Sequence, residues 1–161
     1  MIETYRRWFE YEGDVHRLAL ESLERLDDSQ KALPAFRKAV DLLAHVIAAR
    51  KMWLFRFGET AENAELFPRN NQLQTIRESL DEMEAKWNKY LERLSDADLE
   101  RVFEYKSYEG SRFRNSVADI LTQLFGHSWY HRGQIASLVR SMGGEPAVTD
   151  FVFWAREPVG Q

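Results

Sequence analysis

A chain of 161 residues, 44% hydrophobic and 30% charged, is long enough to bury one substantial core and too apolar to be disordered, so a single domain over residues 1–161 is expected. Its formal charge of −4, with acids and bases interspersed, supplies no basic stripe for phosphates and argues against a nucleic-acid partner. The absence of cysteine excludes disulfides, Cys-ligated zinc, iron–sulfur clusters and a cysteine nucleophile, so any thiol chemistry must use a thiol brought by the substrate.

The chain begins MIETYRRWFEYEGD, with acids from Glu3 onward and no apolar run, which is not a secretory signal. No window is apolar enough for a membrane span, and a cytoplasmic protein is expected. Ile2, Tyr5, Trp8, Phe9, Val15, Ala19, Leu23 and Leu26 form a stripe at helical spacing, predicting a first helix that ends near Asp27-Asp28-Ser29. Gly13 interrupts it, a loss of about 1 kcal/mol against alanine that points to close packing of a neighbour. His16 sits at a face boundary, with Glu12, Gly13, Ala19 and Leu20 one turn away, and reads as a solvated or hydrogen-bonded side chain rather than a ligand.

Pro34 suits the first turn of a second helix running to Phe57, with Gly58 as its stop. From Ala39 to Ala49 this helix is apolar nearly all round and is expected to be the most buried of the set. His45 breaks that run, and Ala48 and Ala49 beside it leave room for something larger than a hydrogen bond. Asp41, one turn before it, is placed to orient an imidazole, although a surface role suits it better. Glu59 to Asn71 reads as a loop that tucks Phe67 back onto the body. Leu73, Ile76, Leu80, Met83, Trp87, Tyr90 and Leu94 predict a third helix that closes the bundle.

Ser95 to Asp98 looks like a cap and a short turn. The alternation through Val102 or Phe103, Tyr105, Tyr108 and Phe113 around Glu109-Gly110 predicts a short β-hairpin packed across one end of the helices. Such a hairpin is expected to force at least one long crossover, so the helices need not alternate up and down. A fourth helix follows, closed by Gly143-Gly144. Along it Ile120, Leu124, His127, His131, Ile135, Leu138 and Met142 step by three or four residues and share one face. Two imidazoles at i and i+4, with Cβ atoms roughly 5–6 Å apart, make a pincer for a metal ion. A shared cation satisfies both rings, where plain hydrogen bonds on a packed face would struggle to. In H-S-W-Y-H the residue after the first histidine is Ser128, so the glutamate base of an H-E-x-x-H protease is missing. The tail carries Phe151, Phe153 and Trp154, too apolar to dangle in water, which must cover the core or meet a partner chain.

With His45 on one helix and G-H-S-W-Y-H-R-G-Q on the last, the chain resembles the DinB-like family of DNA-damage-inducible metal-binding proteins over nearly its whole length. Trp8, Trp53 after the helix-two histidine, the hairpin and P-A-V-T-D at Pro146 to Asp150 extend the likeness. The translesion polymerase that shares the name is unrelated. The resemblance implies an all-α four-helix bundle with a short β-hairpin before the last helix. It maps a metal triad onto His45, His127 and His131, holding a divalent ion, nickel or zinc, and suggests kinship with transferases that use bacillithiol or mycothiol.

Three neutral imidazoles would leave such an ion its full charge and at least one open position. Arg132 and Gln134 follow the motif and are candidates to contact substrate, although Arg132, beside His131, can equally point to solvent. Two classes of function remain: a metal-dependent S-transferase or hydrolase acting on a small molecule, and a non-catalytic metal-binding scaffold of a stress response. A cavity with lining polar groups favours the first; a filled core with a protein carboxylate as fourth ligand favours the second. The aromatic stripes and the tail exceed what one bundle core must absorb, so a homodimer is expected.

Overall fold

The four apolar stripes become four long helices in the computed structural model, which describes residues 1–160. They are α1 (Ile2–Glu24), α3 (Pro34–Arg56), α4 (Leu73–Arg93) and α6 (Val117–Ser141). Three short helices sit between or after them: α2 (Asp28–Lys31), α5 (Asp96–Leu99) and α7 (Phe151–Ala155). The first stripe stops earlier than expected. Its helix ends at Glu24, because Asp27 instead caps α2, accepting from the Gln30 backbone while Gln30 returns a bond to the Asp27 N–H.

Contacts along the helices fix their directions. Arg6 reaches the carbonyl of Leu91 and Arg77 reaches Glu24, so α1 and α4 run antiparallel. Tyr5 donates to Ala118 and Tyr11 receives Arg132, so α1 and α6 run parallel. Trp87 Nε1 donates to the Arg50 carbonyl and Tyr90 stacks on Phe57, which makes α3 and α4 parallel neighbours as well. Two parallel helices in succession require the chain to travel the length of the bundle between them. Residues 57–72 do so, and the order is up, down, down, up. The hairpin, β1 (Val102–Lys106) paired antiparallel with β2 (Arg112–Ser116), joins α4 to α6 instead. The expected long crossover therefore exists, but the segment before α4 makes it, not the hairpin.

The hairpin closes one end of the bundle. Tyr105 packs edge-on against Trp53 at 4.8 Å and Phe103 against Phe57 at 5.1 Å, measured between ring centroids. Gly110, at φ +90°, makes the turn that a side chain would strain. β2 then runs directly into α6, whose N-cap Ser116 accepts from Asp119 at 3.0 Å.

Trp87, Leu20, Leu23, Leu43, Leu54 and Leu80 form the centre of the core. α3 is as buried as expected but shares that rank with α1, since each buries eleven of its 23 residues. The apolar pattern under-counted α1 because Glu12, His16 and Ser22 are inside with it. Gly13 has the reason its position implied: a Cβ there would stand 3.2 Å from the Glu84 carboxyl group of α4. The tail folds back onto α1. Phe151 packs edge-on against Tyr11 at 5.1 Å and Trp154 Nε1 donates to Asp14 at 2.8 Å, while Val152 and Phe153 face outward.

Candidate metal centre

α3 and α6 pack antiparallel, and this brings the middle of one against the middle of the other. His45 projects from α3 toward His127 and His131, which lie one turn apart on α6. The three ring centroids are 4.9, 5.0 and 4.5 Å from one another, and one nitrogen from each ring lies within 4.8 Å of the others. His45 Nε2 is 3.1 Å from His127 Nε2. On a tetrahedral ion with bonds of about 2.0–2.1 Å, two ligand nitrogens stand about 3.3 Å apart, so the spacing fits a shared ion.

The remaining ring nitrogens are committed in a way that suits ligation. His45 Nδ1 donates to the Leu66 carbonyl at 2.6 Å and His131 Nδ1 to Gln134 Oε1 at 2.8 Å. Each bond fixes the tautomer that leaves Nε2 with its lone pair turned inward. Burial is the main influence holding His127 down to about 4, reinforced by His131, His45 and Arg50; burial also lowers His131, against the opposing hydrogen bond to Gln134. Both rings are therefore neutral at pH 7, the state a metal requires.

Gln134 thus serves His131 rather than a substrate. The orienting role that Asp41 was placed to fill at His45 belongs instead to Leu66, and Asp41 accepts from Asn71 Nδ2 at 2.9 Å, pinning the end of the crossover to α3. A backbone carbonyl leaves no trace in sequence, so Leu66 could not have been found there. Phe67 could: it does tuck back, stacking on the His45 ring at 4.9 Å with 5° between the planes.

Arg132 turns away from the centre and from solvent alike. One residue past His131 is about 100° further round the helix, which aims it into the α1 interface, where it is 4% exposed. It donates to Glu12 Oε1 at 2.6 Å and to Tyr11 Oη at 3.1 Å. Arg50 of α3 ion-pairs with the other oxygen of Glu12 and donates to Ser128 at 3.2 Å. Burial first, and Arg132 second, bring the Arg50 guanidinium down to about 9, still charged at neutral pH.

His16 belongs to the same cluster and not to a face boundary. It is 1% exposed, and its Nε2 lies 3.3 Å from Arg132 Nη1, accepting from it. Burial, then Arg132 and Arg17, keep it well below its ordinary value and hence neutral. Its polar neighbours suggested a surface, but they are polar because they answer one another inside.

A cavity of about 460 Å³ opens beside the triad, touching His45 and His131, with Leu42 and Phe67 as apolar wall. No carboxylate joins the three histidines in a metal-binding cluster among the described residues. The arrangement can hold a divalent ion on three imidazole nitrogens next to open volume. No helix among the described residues is long and apolar enough to cross a membrane.

Protein DinB of Bacillus subtilis (strain 168) is 24% identical over 128 residues, which span 76% of this chain and 74% of that relative. The model of the DinB family matches residues 1–158, so with its helical bundle and its histidine cluster the chain belongs to the DinB family.

Proposed function

We propose that this protein holds zinc or nickel on His45, His127 and His131 and transfers a low-molecular-weight thiol to a small electrophile in the adjoining cavity. The observation that carries the reading is the cavity of about 460 Å³ that two of the three histidines line. A scaffold would fill that volume and close the ligand set with a carboxylate, and neither feature accompanies the triad among the described residues. Without cysteine the chain has no thiol of its own.

A divalent ion on three imidazoles supplies Lewis acidity, lowering the pKa of a thiol or water that reaches it. The chain's residues do the rest. Leu66 and Gln134 hold two rings in the ligating tautomer, and Phe67 shields one side of His45 from water. In the transfer, the thiol gives its proton to solvent, its sulfur forms a bond to the electrophilic carbon, and the leaving group departs with the bonding pair. Water in place of the thiol makes the same site a hydrolase.

The test is metal analysis of untagged protein, followed by turnover of electrophiles with a panel of thiols before and after complete metal removal. Activity should vanish with the ion and return with zinc or nickel. Turnover that survives in metal-free protein would overturn the mechanism. Stoichiometric metal with no turnover on any thiol or ester would leave the scaffold.

Two copies of the chain pairing is part of the same proposal, supported by the exposed Trp129, Tyr130, Val152 and Phe153 on α6 and α7. Sedimentation should show a dimer at tens of micromolar, an ordinary working range for such interfaces. A monomer there removes that part.

A further inference from the structure

We infer that the cavity beside the triad selects a small molecule bearing an oxyanion, a carboxylate or a phosphate. The inference deepens the proposed function, resting on it only for what the other end of that molecule meets. Arg37 and Lys38, near the start of α3, and Arg69, in the crossover, line the cavity along with His45 and His131. One acid, Asp41, shares the lining, and one of its oxygens is engaged by Asn71.

About half of the basic side chains elsewhere in this protein find acids, among them Arg17 with Glu84, Lys51 and Lys86 with Glu82, Arg77 with Glu24, and Arg112 with Glu104. Arg37, Lys38 and Arg69 have no ion-pair partner among the described residues. Three cations gathered around a concavity, in a chain whose net charge is −4, are a local inversion of its electrostatics. Low-dielectric walls focus such a field into the cavity. The end of α3 adds to it, because its first turn contains no acid and Leu33 provides no side-chain cap.

The cavity is therefore two-ended. Guanidinium forks from two different segments, α3 and the crossover, are suited to a planar carboxylate or a phosphate. Phe67 and Leu42 between them and the histidines offer apolar wall for a short carbon skeleton. A volume of about 460 Å³ lies within the ordinary range for small-molecule sites. Neutral thiols and electrophiles of the same size would leave the cationic end unanswered.

The experiment titrates zinc-loaded protein with succinate, with inorganic phosphate and with the neutral diamide succinamide, following backbone amide shifts by NMR. Succinate or phosphate should bind at least about tenfold more tightly than succinamide, the worth of one net charge-assisted hydrogen bond, and should perturb amides at the start of α3 and near Arg69. Whichever of the two anions binds better names the group. The Arg37→Gln/Arg69→Gln double variant should lose that preference while keeping its zinc content and its affinity for succinamide.

Succinamide binding as tightly as both anions overturns the inference, and so does an anion affinity unchanged in the double variant. The metal centre stands or falls separately. If the protein takes up no zinc yet prefers anions through Arg37 and Arg69, the oxyanion site is right and the metal reading is wrong. Zinc uptake with no anion preference upholds the metal centre and overturns the oxyanion site.

Discussion

Replacing His127 or His131 with alanine should abolish the metal binding proposed above, and His45→Ala should do the same from the opposite helix. Each histidine is one of only three protein nitrogens that converge, within 4.8 Å of one another, with no carboxylate in the cluster to compensate. Loss of an outer partner that merely orients a ligand weakens metal affinity by about 10–100-fold, and loss of a ligand should exceed that range. Gln134→Leu is the internal control. It removes the acceptor for His131 Nδ1 while leaving all three ligands, and should fall inside the 10–100-fold range. Metal-competition titrations on the four variants read both effects. Thermal unfolding of the metal-free forms should be little changed, since all three rings are only half-buried. Any histidine variant that keeps stoichiometric metal at undiminished affinity removes that residue from the centre.

Glu12→Ala destabilises the fold by about 3–5 kcal/mol, the consequence of leaving buried charge without its partner. Glu12 is 1% exposed and receives Arg50 on one oxygen and Arg132 on the other. With the carboxylate gone, two guanidinium groups face each other inside the protein, and Arg50 is already held low by burial and by Arg132. Urea denaturation at neutral pH measures the loss through the midpoint, provided the slope is unchanged. The triple replacement Glu12→Leu/Arg50→Met/Arg132→Met removes all three charges together and should recover most of the loss. A change below about 1 kcal/mol in Glu12→Ala would place the cluster among exposed pairs of little consequence.

The helices, the hairpin and the histidines could be read from residue order because each rests on a short-range period. His127 and His131 are four apart on one helix, and no tertiary knowledge is needed to see that they share a side. His45 stood out because it interrupts an apolar run. What escaped were relations between residues far apart in the chain. Arg132 and His16 each sit among polar neighbours, which locally resembles a surface; only the packing of α1 against α6 shows Arg132 reaching both Glu12 and His16. The place of the crossover was hidden for a similar reason, since helix direction is set by side-chain contacts such as Trp87 to Arg50 and not by the helices' own periodicity. α2 and α7 are too short for a hydrophobic period to register.

His45 and His127 are 82 residues apart in sequence, yet their Nε2 atoms are 3.1 Å apart in space. An ion coordinated by both is a cross-link, tying α3 to α6. By chain-entropy arithmetic for a covalent bridge, closing a loop of that length restricts the unfolded ensemble by about 4–5 kcal/mol, although a coordinated ion can also linger on unfolded histidines and give back part of it. A protein without cysteine would thereby possess a staple indifferent to reductants and sensitive to chelators. The difference in unfolding midpoint between metal-free and reconstituted protein measures its strength, and coincident midpoints would mean that no such tie exists.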